Sequence, residues 1–228
     1  MKSVGEILDQ NKGVGLGFDG MRLILALSVI LWHSFPLTSG SASFAKSTVA
    51  WPIIYSIVPM FFALSGFLVS GSALRLTIGK FAMSRILRIV PALFVDTLFT
   101  VIILAPLFTG LPLQEFFTNH LTYAYLLNIV GEIHFTLPGV FTQNIYPDVV
   151  NGSLWTIPPE LFCYVVMAGL IISGWIRDWK KVAAVFIAFT ILYFVIHNIS
   201  LTYPGKGRLQ GPGTKLVGFF VMGTLFYV

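Results

Sequence analysis

Long apolar stretches alternate with short polar or glycine-bearing connections along almost the whole chain. The first expected span runs from about Met21 to Leu37, and between Leu23 and Trp32 its single hydroxyl is Ser28. An α-helix rises 1.5 Å per residue and a bilayer core is about 30 Å thick, so a stretch near this length reads as a transmembrane helix. A small-residue loop from Thr38 to Val49 leads to a second span over about Pro52 to Gly71. That span carries Ala63, Ser65, Gly66, Ser70 and Gly71, small side chains that let a neighbouring helix approach closely.

The pattern changes from Leu74 to Ile89, where Arg75, Lys80, Arg85 and Arg88 are set among apolar positions. This predicts an amphipathic interfacial helix facing the cytoplasm. A third span is expected from about Pro91 to Thr109, with Asp96 inside it. Leu121 to Val130 is apolar for only ten residues and fits either a short span or a re-entrant piece. A proline- and asparagine-bearing loop, Pro138 to Gly152, precedes spans over about Leu154 to Trp175 and Val182 to Ile199. Another loop, Ser200 to Thr214, leads to an apolar run from Leu216 to Val228. Thirteen residues cannot cross the core, so further spans are expected beyond Val228. The expected fold is an all-α, polytopic bundle with about six or seven spans present. Residues 1–17 form a polar leader suited to an interfacial helix, and 18–228 form one membrane domain, incomplete at its C-terminus.

Composition agrees with this reading. The 228 residues are 56% hydrophobic and 10% charged, against about 25% charged in ordinary soluble domains. No secretory signal is evident: the N-terminus is polar through Asp19, and the first apolar segment lacks a small-residue cleavage site. Cys163 is the single cysteine, which excludes an internal disulfide and a cysteine metal cage. The net charge of +5 is spread over short connections, so it reads as membrane topology and not as nucleic-acid binding. Seven of the fourteen basic residues lie in the N-terminal segment and between Arg75 and Arg88, which places both inside. Beyond the third span the count ties at ten inside and four outside, whether or not residues 121–135 cross.

Chemistry concentrates in a few places. His33 sits in the first span, eleven residues and almost three helical turns after Arg22. The two therefore share a face, roughly 16 Å apart along the axis. A histidine at that depth is costly and suits general-base work or proton relay; the plainer reading is helix packing through a backbone or serine hydrogen bond. Asp19 and Arg22 are spaced i, i+3 and fit a helix cap with a local ion pair. Arg85 and Arg88 have the same spacing, suited to bidentate phosphate binding or to anchoring at lipid headgroups. Glu160 follows Pro158-Pro159 at a helix start, with Tyr164 one turn below. A carboxylate there caps the helix or orients His33 or an acceptor hydroxyl. His120, His134 and His197 lack metal-like spacing, Asp96 and Glu132 are isolated, and no metal site is expected.

Taken in order, five patches are similar to the acyltransferase-3 family of integral membrane proteins. They are Phe18-Asp19-Gly20-x-Arg22, the Arg22-x10-His33 spacing, and Phe61-Phe62-x-Leu64-Ser65-Gly66-Phe67. Ser84-Arg85-Ile86-x-Arg88-Ile89-x-Pro91 and Ser153-Leu154-Trp155-Thr156-x-x-x-Glu160 complete the set. The resemblance covers about Phe18 to Tyr164 and implies a bundle of about ten helices, usually moving acetyl from acetyl-CoA to a carbohydrate hydroxyl. Acceptors would be surface polysaccharides or lipid-linked sugars. It implies that His33 and Arg22 are catalytic, that Glu160 joins them, and that Arg85 and Arg88 handle the donor. Asp19, Ser65, Ser153, Trp155 and Tyr164 would bind substrate or support the site. Acyl-CoA would be a substrate with no permanent cofactor, the other partners being the acceptor sugar and membrane lipid. The expected location is a bacterial cytoplasmic (inner) membrane with the N-terminus inside. A proton-coupled transporter using the same buried His, Arg and Asp is the alternative, and a purely structural membrane subunit is a third reading.

Overall fold

The computed structural model describes residues 17–39, 47–49, 51–202 and 213–228. The leader up to residue 16, most of the loop after the first span and residues 203–212 lie outside the described residues. Helix α1 covers Phe18–Ser39 and α2 covers Trp51–Arg75. The run Ile78–Phe108, here α3, is α-helical to Phe99, makes a π-turn over Thr100–Leu104 and closes with Ala105–Phe108. Two short helices follow, α4 (Leu113–Thr118) and α5 (His120–Leu126), then a 3-10 turn over Leu127–Val130. A 3-10 turn at Gly152–Thr156 leads into α6 (Ile157–Ile172), followed by α7 (Trp179–Thr202) and α8 (Gly213–Tyr227). Among the described residues no strand forms; Thr109 and Val140 make one isolated antiparallel bridge.

Five helical runs, α1, α2, α3, Gly152–Ile172 and α7, are long and apolar enough to cross a bilayer, and α8 is a shorter apolar helix. The protein is a multi-pass helical membrane protein. Large apolar side chains such as Leu23, Ile30 and Leu31 on α1 face outward, as a lipid-bathed helix requires. Several hydroxyls within these helices are satisfied by their own backbone. Ser28 donates to the Ile24 carbonyl at 2.8 Å, Ser70 to Gly66 at 2.7 Å and Thr190 to Phe186 at 2.9 Å, so these three are not left bare in hydrocarbon.

Two expectations need correction. The amphipathic segment Leu74–Ile89 is divided: Leu74 and Arg75 end α2, and from Ile78 onward the segment is not separate from the span at Pro91, because one helix passes through that proline. Proline removes a single backbone donor, which an apolar membrane helix tolerates where surrounding groups re-satisfy the freed carbonyl. The segment around Leu121–Val130 is not a span either, because α5 and the turn after it cover only Leu121's own short neighbourhood, His120 to Val130. At 1.5–2.0 Å per residue that reaches roughly 20 Å at most.

Contacts divide the chain into two units. The first comprises residues within Met1–Leu31, Val49–Ala82 and Pro159–Val228; the second lies within Trp32–Thr48 and Met83–Pro158. In the first unit α8 packs along α2 and against α7. It buries Leu216, Val217, Phe220, Val221, Thr224 and Tyr227, which lie together on one broad face, while Phe226 on the opposite side is exposed. The pairing with α2 depends on glycine. A β-carbon on Gly66 would run into the Phe220 carbonyl, and one on Gly223 into the Ala63 carbonyl. Each close approach is possible because the glycine on one side of it presents no side chain to the facing backbone.

The second unit is built on Val101, Ala105, Phe116, Tyr125, Leu137 and Val140. Its connections are tied down by side chains. The buried Asn128 amide donates to the His134 carbonyl at 3.0 Å while its oxygen accepts from the His134 N–H at 2.7 Å. Gly131, at φ 86°, takes the left-handed turn that ends the helical stretch before this bracket. Thr109 at the end of α3 donates to the Pro138 carbonyl at 2.9 Å.

Candidate functional site

In the first unit, Arg22 stands one turn into α1 and pairs with Asp19 at 3.6 Å. Asp19 is almost fully exposed, so the contact is a weak, solvent-screened i, i+3 pair that leaves the guanidinium available. The Phe18 ring beside it packs on Phe67 at 5.3 Å between centroids, and Phe67 in turn meets the Tyr227 ring edge-on at 5.2 Å. Aromatic contact thus fixes the Phe18-Asp19-Gly20 turn against α2 and α8. Ser65 is half-buried on α2, next to the Gly66 contact.

Glu160 occupies the first turn of α6, where the helix N-terminus favours its charge. Tyr164, one turn on, donates its hydroxyl to Glu160 Oε1 at 2.7 Å. The Tyr164 ring packs edge-on to Phe220 at 6.5 Å. Phe220 is the residue whose carbonyl receives Gly66. The carboxylate, the Phe61–Phe67 patch and the Phe18–Arg22 turn are therefore linked through α8. That role of α8 lies outside the expectations drawn from the sequence, where its signal is Gly218, Gly223 and Thr224, small residues amid the apolar run.

His33 is half-buried on α1, in the second unit. Arg85 and Arg88 lie early in α3, Arg85 half-buried with its Nε donating to Ser84 Oγ at 3.2 Å, Arg88 exposed. Two guanidinium groups three residues apart share a face, as a phosphate-bearing ligand would need.

The second unit also brings together polar groups that sequence spacing did not connect. Asn151 Nδ2 reaches both carboxylate oxygens of Asp96, at 3.3 and 3.5 Å. Asn151 Oδ1 accepts from the Ser153 hydroxyl at 2.6 Å and from its N–H at 3.2 Å. Ser153 and half-buried Trp155 belong to the 3-10 turn that this bond tethers to α3. Nearby, Tyr125 is fully buried, and burial together with the Asp96 charge pushes its phenol up to about 12. Thr100 lies close enough to act on that phenol, yet no contact of the Tyr125 hydroxyl meets hydrogen-bond geometry. The buried Thr97 hydroxyl is likewise without a partner.

A separate cavity of about 230 Å³ lies between α7 and α8, lined by Phe186, Phe189, Tyr193 and Phe219 with Lys215 at its edge. Its walls are apolar, and none of the expected site residues lines it.

Comparison with known proteins gives a consistent result. The family model described as an acyltransferase domain matches residues 16–228. The chain is similar to an O-acetyl transferase of Shigella phage Sf6, 27% identical over 81% of this chain and 51% of the relative. It is also similar to nodulation protein 10 of Rhizobium leguminosarum bv. viciae, 30% identical over 97% of this chain and 62% of the relative. The chain thus spans between half and two-thirds of the length of these curated relatives. No solved structure matches.

Proposed function

The chain belongs to the acyltransferase-3 family, and on that premise we propose that it moves an acetyl or other short acyl group from acyl-CoA to a carbohydrate hydroxyl. The acceptor would be a surface polysaccharide or a lipid-linked sugar. The observation that carries the reading is the family match from residue 16 to residue 228, which takes in Arg22, His33, Arg85, Arg88 and Glu160 within one domain. The relative named an O-acetyl transferase supports the same chemistry.

In this reading Arg85 and Arg88 hold the phosphates of coenzyme A through charge-assisted hydrogen bonds. His33 takes the proton of the acceptor hydroxyl as its oxygen attacks the thioester carbon. A C–O bond forms, the C–S bond breaks, and the thiol of coenzyme A leaves with the proton. Arg22 stabilises the oxyanion that develops on the carbonyl oxygen. Glu160, one oxygen held by Tyr164, keeps its other oxygen for orienting the histidine or the acceptor. A second route acylates His33 first and passes the acyl group to the sugar afterwards.

Charge supports a cytoplasmic N-terminus in a bacterial inner membrane. With residues 109–151 not crossing, Arg177, Lys180 and Lys181 join the inner side, for ten basic residues inside and four outside. The full-length protein in proteoliposomes, given labelled acetyl-CoA and sugar acceptors, should yield acetylated sugar. His33→Ala should abolish transfer while insertion is unchanged. Retained transfer would remove His33 as the catalytic group, and proton-driven solute uptake without acetyl-CoA would identify a transporter instead.

A further inference from the structure

Asp96 lies in a membrane-spanning helix, where a half-buried carboxylate is expensive unless it has work to do. Its one donor among the described residues, Asn151, reaches it only at 3.3 and 3.5 Å, long for a bond to a charged acceptor. A carboxylate offers about four acceptor positions, so most of its capacity is unspent. Asn151 is held with its amide toward Asp96 because its oxygen is engaged by Ser153. Tyr125 adds a fully buried hydroxyl with no partner, acted on by both Asp96 and Thr100, and Thr97 adds another. Thr100 is one turn after Asp96 and opens the π-turn that runs to Leu104. Such turns inside long helices occur frequently at functional sites.

We infer that Asp96, Asn151 and Tyr125, with Thr97, Thr100 and Ser153 around them, form a subsite for the vicinal hydroxyls of the acceptor sugar; the inference rests on the acyl-transfer reading above. The chemistry favours a neutral polyol. A carboxylate accepts two hydroxyl protons, an amide fixes its orientation, and tyrosine and threonine hydroxyls both donate and accept. The group contains no cation, so it repels the phosphates of coenzyme A. A purely apolar ligand would leave the orphaned hydroxyls unpaired and the desolvation cost unrecovered.

Two variants separate binding from structure. Tyr125→Phe removes a hydroxyl that makes no hydrogen bond, so the fold keeps its packing. Asp96→Asn keeps an oxygen for Asn151 and removes the charge. Both are tested in the full-length protein by binding of methyl hexopyranosides without donor, and by transfer with acetyl-CoA. Each variant should weaken sugar binding and raise the acceptor KM about tenfold, the loss of one good hydrogen bond, while the acetyl-CoA KM stays within twofold. Wild-type sugar binding that neither variant changes would overturn the subsite, as would absence of wild-type binding. Variant-sensitive sugar binding without any acetyl transfer would retain the subsite and defeat the acyltransferase reading instead.

Discussion

Gly66 of α2 rests directly on the carbonyl of Phe220 in α8, with no room between them for a methyl group. Phe220 is also the ring against which Tyr164 packs while holding Glu160. A packing contact and a charged group of the site therefore share one residue.

Gly66→Ala should destabilise the α2–α8 pair by about 1–3 kcal/mol, the usual cost of forcing a methyl into a closed contact. Gly223→Ala should do the same through Ala63, whereas Gly218→Ala, with nothing within 4 Å of the added carbon, should be neutral. Thermal unfolding in detergent gives the ranking. Equal melting temperatures for all three would show that the helices separate freely.

Tyr164→Phe should keep the ring on Phe220 and remove the hydrogen bond to Glu160. Such bonds to a charged group contribute about 1.5–3 kcal/mol, reduced here because Glu160 is half-buried. Acyl transfer should fall about tenfold, with a melting shift of a few degrees at most. Glu160→Gln preserves an acceptor for Tyr164, so a larger loss in that variant would assign the effect to the charge.

Arg85→Ala and Arg88→Ala should each raise the KM for acetyl-CoA about tenfold or more, since a charge-assisted phosphate contact is lost. Lysine at either position should restore part of the affinity, lacking the planar fork. An acetyl thioester of N-acetylcysteamine, which has no phosphates, discriminates the explanations. Its kinetics should be unaffected, and a parallel loss would mean that the arginines serve only the fold.

Asn128→Ala should cost about 1–3 kcal/mol, because the half-buried N–H and C=O of His134 would both lose their partner. Limited proteolysis between Asn128 and His134 reports it locally. Resistance equal to wild type would mean that other groups take over both bonds.

Much of the architecture was legible because lipid imposes a simple pattern. Long apolar runs had to be helices, and α1, α2 and α7 follow that rule to within a few residues. Pro91 misled because in water a proline marks a helix boundary, while in an apolar helix the lost donor is tolerated. The Asp19–Arg22 and Glu160–Tyr164 pairs were readable as one-turn spacings. The Asp96–Asn151 contact was not, since it joins residues from a helix and a distant loop, and no periodicity links them. The role of α8 was hidden for the same reason, its partner α2 lying far earlier in the chain.

That separation bears on how the molecule is made. When α2 first enters the bilayer, Gly66 faces lipid, and the aromatic chain from Phe18 through Phe67 has no Tyr227 to end on. Glu160 and Tyr164 are synthesised next, still without Phe220 beside them. The first unit can close only after α8 has been synthesised, so ribosomes paused before it would carry a set of inserted but unlocked helices. Acquisition of its final packing is then a late, long-range event, and a nascent chain stalled at α7 should remain open to quality-control proteases that ignore the finished protein.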